Sequence, residues 1–210
     1  MVHVKVCGIT NLDDALASLD AGAGYLGFNF YRKSPRYISP ADARLIVEAL
    51  PAGVTCVGVF VNEAEPCNVQ RIAGEAGISA VQLHGDETPE FCSALAGLWT
   101  MKALRVGPGF RPELAARYET DAVLLDTHAA GSFGGTGRTF DWSLARSVSP
   151  LVSKLFLAGG LSPENVAAAV VAARPFAVDV CSGVETSPGR KSAPLVRRFV
   201  EAVRGCEQEA

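Results

Sequence analysis

The 210-residue sequence predicts an α/β fold, a single-domain (β/α)8 TIM barrel over residues 1–210, on three observations. Short apolar runs rich in Val, Ile, Leu and Phe alternate with amphipathic stretches that begin at cap-like residues, eight of each, along the whole chain. Most of these runs are apolar throughout rather than half polar, as burial on both faces by a ring of helices requires, so the sheet is expected to be parallel. From the end of the first run at Cys7 to the end of the eighth near Ser182 the spacing averages about 25 residues per unit, which fits eight compact βα units near the lower size limit of that fold. A doubly wound open sheet is the competing architecture, because alternation alone does not fix closure.

In chain order the expected strand and helix pairs begin with Val2–Val6 and Leu12–Ala21, then Tyr25–Phe28 and Pro40–Leu50, Thr55–Phe60 and Glu63–Ala76, and Ala80–Leu83 and Pro89–Leu95. They continue with Thr100–Leu104 and Arg111–Tyr118, Ala122–Leu125 and Trp142–Ser147, Lys154–Leu157 and Pro163–Ala173, and Ala177–Val180 and Pro194–Arg204. No Ser/Gly/Pro tract divides the chain and no segment is of low complexity. Gly22-Ala23-Gly24-Tyr25-Leu26-Gly27 has the G-x-G-x-x-G spacing, yet it follows a helix and enters a strand, the reverse of the order a dinucleotide site needs. It reads as a helix stop and a tight turn. The Gly-rich run Gly131 to Gly137 lacks the G-K-[ST] ending of a Walker loop and reads as a mobile loop, with Gly134–Gly137 a possible lid over a site.

Composition bounds the function. With 49% hydrophobic and 20% charged residues, and a net charge of −3, the chain is neither disordered nor fibrous. It carries no basic block of the kind that holds nucleic-acid phosphates, so no nucleic-acid partner is expected and any anionic ligand must be met locally. Met1 to Gly8 alternates like a strand rather than like a signal peptide, and no run approaches the roughly 18 apolar residues of a membrane helix, so a soluble, cytoplasmic protein without membrane contact is expected. The six cysteines form no C-x-x-C pair and have no zinc-type His spacing, so reduced thiols and no metal are expected. Oligomeric state is not legible from amphipathic barrel helices, and a monomer is the favoured expectation.

In a barrel of this kind chemistry sits at the carboxyl ends of the strands. There the sequence places Cys7-Gly8, Asn29-Phe30, Val61-Asn62, Gln82-Leu83-His84-Gly85, Arg105, Asp126-Thr127, Gly159-Gly160 and Ser182-Gly183. Gly159 and Gly160 follow the seventh strand and lead to a cap-like Ser162 with Pro163 behind it, and Ser182 and Gly183 repeat the pattern one unit later. Bare backbone N–H groups in these two loops make a phosphate site, the position at which barrels of this type hold phosphate.

These strings, taken in order, resemble one family. Lys5 to Thr10, Phe28 to Phe30 followed by Ser34 to Ile38, Val59 to Asn62, Gln82 to Glu87, Leu125 to Thr127, Gly134 to Gly137, Ala158 to Leu161 and Asp179 to Glu185 are similar to the phosphoribosylanthranilate isomerases of tryptophan biosynthesis, from residue 5 to about residue 198. The resemblance implies a (β/α)8 barrel, no cofactor, a phosphorylated small-molecule substrate, and an Amadori rearrangement of N-(5-phosphoribosyl)anthranilate to the aminodeoxyribulose phosphate.

That reaction needs one acid and one base. The acid protonates the ring oxygen, a task for a carboxyl that keeps its proton through burial or a neighbouring acceptor, and Asp126 at the end of an apolar strand is the candidate. The base removes a carbon-bound proton, and a cysteine serves when its thiolate is available near neutral pH. On position alone Cys7 reads as a small buried hydrophobe; the resemblance makes it the general base and Asp126 the general acid. Lys5, one strand alternation before Cys7, faces the same side and is placed to hold the thiolate or the aspartate. Arg36 offers a bidentate fork to the anthranilate carboxylate. His84 is expected to line or orient the pocket rather than bind metal, and Gln82 and Asp179 join the substrate-binding set. Arg105 and His128 remain bystander candidates.

Two positions depart from the family pattern. Cys181 stands where Ser is frequent, and Ser192 opens the last helix where an acidic cap is common. Two other functions compete. A phosphosugar isomerase of the histidine pathway would pair two aspartates, against which Cys7 counts, and its substrate is expected not to be turned over. A barrel that only binds a phosphorylated metabolite would have no use for both an acid and a base.

Overall fold

The computed structural model describes residues 1–127 and 141–208; the Gly134–Gly137 loop and His128 lie outside the described residues. Strands β1 (His3–Cys7), β2 (Tyr25–Asn29), β3 (Thr55–Phe60), β4 (Ala80–Leu83), β5 (Trp99–Val106), β6 (Ala122–Thr127), β7 (Leu155–Leu157) and β8 (Ala177–Val180) form a closed barrel in chain order. Every pairing is parallel, and β8 closes on β1 through His3↔Ala177 to Val6↔Val180, so the sheet has no open edge and the doubly wound alternative is excluded.

Helices α1 (Leu12–Ala21), α2 (Pro40–Ala49), α3 (Pro66–Ala76), α4 (Pro89–Ser93), α5 (Ser143–Val148), α6 (Val166–Ala173) and α7 (Ala193–Gln208) surround it. Their starts follow local chemistry. The Asn11 and Ser39 side chains accept from Asp14 N and Asp42 N to cap α1 and α2, and α3 begins at Pro66 rather than at Glu63 because a residue before proline is pushed out of the helical region, as Glu65 is at φ −138°. The fifth unit has a 3-10 helix, Pro112–Arg117, in place of an α-helix. Its turns close through the tighter spacing, Leu114 N–H to Arg111 O and Tyr118 N–H to Ala115 O. A polar hairpin, β9 (Glu185–Ser187) with β10 (Arg190–Lys191), follows β8; its two short strands carry no apolar pattern that a sequence reading detects.

Two apolar regions hold the barrel. The larger lies between the outward faces of the strands and the helices, with Val6, Leu26, Leu83, Val123, Leu125, Leu157 and Phe199 fully buried. The smaller fills the barrel interior with Val57, Ala80, Met101, Leu124, Phe156 and Ala177, and at its amino end Phe156 stacks edge-on to Tyr25 at 5.4 Å and to Trp99 at 6.1 Å. That aromatic plug shuts one end, so the barrel opens only at the carboxyl ends of its strands. Among the described residues no helix is long and apolar enough to cross a membrane.

Candidate active site

The period of two along a strand positions the site. Ala80, Leu124, Phe156 and Ala177 point into the barrel floor, so the residues two further on, Gln82, Asp126, Ala158 and Asp179, point inward one layer higher, as do Lys5 and Cys7 on β1. This layer forms the floor of a cleft of about 450 Å³ lined by Cys7, Arg36, Gln82, His84, Asp126, Gly159, Gly160, Asp179, Cys181 and Ser182, together with Asn29 at the end of β2 and Tyr31, Lys33 and Ser34 of the loop after it. Nine of the expected site residues therefore meet at one mouth. Lys5 lies beneath the cleft, fully buried, and Gly183 lies behind it, where a Cβ would press on the Leu161 carbonyl of the neighbouring loop.

Lys5 and Asp179 are partners in register across the β1–β8 seam, and Lys5 Nζ donates to Asp179 Oδ1 at 2.9 Å. Burial pushes the Asp179 carboxyl up to about 7, only partly opposed by Lys5 and reinforced by the Cys7 and Asp126 charges: one ammonium serves several acids. Burial works against the Lys5 charge, but Asp179 and Cys7 outweigh it and the ammonium is raised above its ordinary value. Cys7 is held well below the usual thiol range, first by the neighbouring Cys181 thiol, which outweighs burial, and then by the Lys5 and Lys191 charges, while the same neighbour and burial raise Cys181 well above it. Room for this thiol comes from Gly27, its register partner on β2, where a Cβ would lie 2.7 Å from Cys7 Sγ and 3.1 Å from Lys5 Nζ. The G-x-G-x-x-G string thus resolves into Gly22, a left-handed cap ending α1, and Gly27, a space in the barrel wall.

Across the cleft Asp126 Oδ1 accepts from Thr127 N at 2.7 Å and Oδ2 meets His84 Nε2 at 3.1 Å, while His84 Nδ1 meets Gln82 Nε2 at 2.6 Å. With Gln82 donating, the imidazole proton sits on Nε2 and points at Asp126. Gln82 Oε1 is buried without a partner among the described residues.

On the loop after β2, Asn29 Nδ2 donates to Ser34 Oγ, which also accepts from Arg36 N, and this places the guanidinium at the rim. Its Nε and Nη2 donate to Glu185 at 2.7 to 3.1 Å, leaving Nη1 without a partner among the described residues. Glu185 also accepts from Lys191 Nζ at 2.8 Å. The loops after β7 and β8, loops 7 and 8, share the cleft with Arg36. Gly159 and Gly160 have φ of +86° and +64°, and a Cβ on Gly159 would lie 2.7 Å from Thr127 N. The N–H groups of Gly160, Ser182 and Gly183 have no hydrogen-bond partner among the described residues, so two adjacent loops present bare amides to an anion.

Glu185, Lys191, Lys102 and Glu87 were not among the expected site residues. Lys102 stands among Met101, Ala103 and Leu104 in β5, the signal of a buried charge that needs partners. It finds them in Glu87 Oε2 at 2.6 Å and the carbonyls of Gly85 at 2.8 Å and Leu83 at 3.3 Å, one on each side of His84.

A parallel (β/α)8 barrel with a thiol and a carboxyl in one mouth, beside two loops with bare backbone amides, has the layout of an acid–base enzyme of the barrel class. The comparisons identify which. The family model for N-(5'phosphoribosyl)anthranilate (PRA) isomerase matches residues 4–202. The N-(5'-phosphoribosyl)anthranilate isomerase of Geobacter sp. (strain M21) is 51% identical over 203 residues, covering 95% of this chain and 97% of that one. The crystal structure of phosphoribosyl anthranilate isomerase from Thermotoga maritima superposes with a TM-score of 0.91 at 47% identity, over 98% of this chain and 100% of that one. A structure of such an isomerase in complex with reduced 1-(o-carboxyphenylamino)-1-deoxyribulose 5-phosphate gives 0.88 at 46% identity, over 98% and 100%. The chain belongs to the N-(5'-phosphoribosyl)anthranilate isomerase family.

Proposed function

We propose that this chain catalyses the Amadori rearrangement of N-(5'-phosphoribosyl)anthranilate to 1-(o-carboxyphenylamino)-1-deoxyribulose 5-phosphate, the isomerisation of tryptophan biosynthesis, with Asp126 as general acid and Cys7 as general base. The observation that carries the assignment is the pair itself: an inward thiol and an inward carboxyl in the same cleft. Asp126 delivers a proton to the furanose ring oxygen as the anilino nitrogen's lone pair opens the ring to a Schiff base. The Cys7 thiolate then takes the proton from C2, and the resulting enolamine becomes the ketone.

Gln82 and His84 set the proton on Asp126. Half a turn of the Gln82 amide brings its unpartnered Oε1 to His84 Nδ1, moves the imidazole proton to Nδ1, and leaves Nε2 as acceptor for the acid form of Asp126. Lys5 holds Asp179 and the thiolate from below, and Asp179 faces the substrate hydroxyls. Gly159, Gly160, Ser182 and Gly183 carry the phosphate on backbone N–H groups and the Ser182 hydroxyl, and Arg36 takes the anthranilate carboxylate on its Nη1 side, its other edge being braced by Glu185. A single barrel, residues 1–210 read as one domain, is the proposed unit of function. Its six free thiols fit a reducing compartment, the cytoplasm.

The test is turnover of freshly made phosphoribosylanthranilate, followed by loss of substrate fluorescence, in Cys7→Ser and Asp126→Asn. Turnover is expected to fall by about a thousandfold or more in each, with product affinity kept within about threefold. Full rate in either variant refutes its assignment.

A further inference from the structure

We propose that Cys7 and Cys181 form a dithiol modification site: a hydroperoxide closes them into a disulfide across the β1–β8 seam, and a thiol reopens it. The seam register ends at Lys5↔Asp179 and Val6↔Val180, and Cys7 and Cys181 are the residues that follow this last pair on the two chains. At that last pair neighbouring strands lie about 4.8 Å apart, inside the window of roughly 4.4–6.8 Å that a disulfide spans between its Cα atoms, and the two cysteines leave the seam from there. Both residues line the cleft, and Cys181 Sγ leans back over β1 to within 3.2 Å of the Cβ position of Gly8. Cys181 closes β8 at φ −129°, ψ −88°, outside the strand region, so the small approach that bonding needs falls on a chain turn rather than on a ladder residue.

The surroundings favour a thiolate. Lys5 lies beneath Cys7, Lys191 Nζ is 3.9 Å from Cys181 Sγ, and the Arg36 side chain borders Gly8, with Asp179 and Glu185 as the opposing carboxylates. Cationic surroundings at the wall of a cleft, with Cys7 buried and Cys181 partly exposed, are where a thiolate forms and reacts. The other four thiols sit elsewhere, at Cys56 on β3, Cys67 on α3, Cys92 on α4 and Cys206 on α7, and burial pushes Cys56 and Cys92 up to about 11. In the reaction the Cys7 thiolate attacks the terminal oxygen of the hydroperoxide, the O–O bond breaks, and the departing alkoxide or hydroxide takes a proton from water, leaving Cys7 as a sulfenic acid. The Cys181 sulfur, giving up its proton, then displaces the sulfenic hydroxyl as water and forms the S–S bond. The peroxide gains two electrons and each thiol loses one.

The cross-link stands on this geometry alone, whereas the loss of turnover that accompanies it rests on Cys7 acting as the base. The experiment exposes the full chain, its Cys181→Ser variant and, as control, Cys67→Ser to hydrogen peroxide. It reads peptide masses and each variant's turnover against its own untreated rate, before and after dithiothreitol. In the parent chain and Cys67→Ser the Cys7 and Cys181 peptides are expected to join with the loss of two hydrogens, turnover to drop by about tenfold or more, and dithiothreitol to return it. In Cys181→Ser no such link forms, and Cys7 proceeds to the oxides with two and three oxygens, from which dithiothreitol does not recover activity. Cys7 oxides without a Cys7–Cys181 link in the parent chain, or a link between other cysteines, overturn the proposal. A Cys7–Cys181 link formed with turnover intact supports the site and refutes the role of Cys7 as base.

Discussion

Replacing Lys102 with Met tests how the site is held from behind. Lys102 Nζ is buried, 2.6 Å from a Glu87 oxygen and bonded to the carbonyls of Leu83 and Gly85, while Glu87 accepts from Asn62 N at 2.8 Å and Gly85 N at 2.9 Å. At that separation and an effective dielectric of about 20 the charges attract by roughly 6 kcal/mol, which desolvation of the two ions, several kcal/mol each, largely offsets. The intact pair is therefore nearly neutral, but Met leaves a buried carboxylate and two carbonyls without their donor, a loss of about 3–5 kcal/mol. Glu87→Gln keeps an acceptor for the two amides and leaves Lys102 its carbonyls, so it is expected to lose about 1–3 kcal/mol. Combining the two removes both charges, and the double variant should be more stable than the sum of the single losses by about 2 kcal/mol. Urea denaturation at neutral pH measures all three, with turnover recorded alongside. A loss below about 1 kcal/mol in Lys102→Met, or additivity within about 0.5 kcal/mol, refutes the pairing argument. Since the three anchors flank His84, turnover of folded Lys102→Met is expected to fall by more than its product affinity.

Two further outcomes follow from the seam and the phosphate loop. Cys7 is depressed, so its thiolate persists as pH falls below the ordinary thiol value and disappears only on passing the depressed one; Lys5→Met should raise the midpoint of Cys7 alkylation by iodoacetamide by about one unit or more, and an unmoved midpoint counts against Lys5 as the electrostatic support. Gly159→Ala puts a Cβ at φ +86°, costing about 1–2 kcal/mol in backbone strain, and drives it toward Thr127 N and Asp126 Oδ1. Product affinity by calorimetry is expected to fall about tenfold or more, and unchanged affinity removes loop 7 from the phosphate site.

The expected strand positions coincide with the observed ones within a residue or two, because inward and outward burial together leave short apolar runs rich in Val, Ile, Leu and Phe. Helix starts were less legible. Pro66 and the Asn165 side chain, which donates to Gly160 O and accepts from Ser162 N, delay α3 and α6 by local sterics and hydrogen bonds that hydrophobic period does not register. Cys7, Asp126, Gln82, His84 and the loop glycines were readable because barrel chemistry collects where an apolar run turns polar.

By itself, then, the sequence determined the number of βα units, their order and the strand ends at which polar groups gather, since all three are written in local composition and period. Closure of β8 on β1 belongs to the tertiary structure, because it joins residues more than 170 positions apart and no local pattern encodes it. So do the partners that closure creates, Lys5 with Asp179 and Arg36 with Glu185, and the pair that the barrel's curvature brings together from the ends of β4 and β6, His84 with Asp126. Whether a lysine stabilises a thiolate or an arginine faces a ligand depends on distances of a few ångströms across strands, and only the folded barrel sets them.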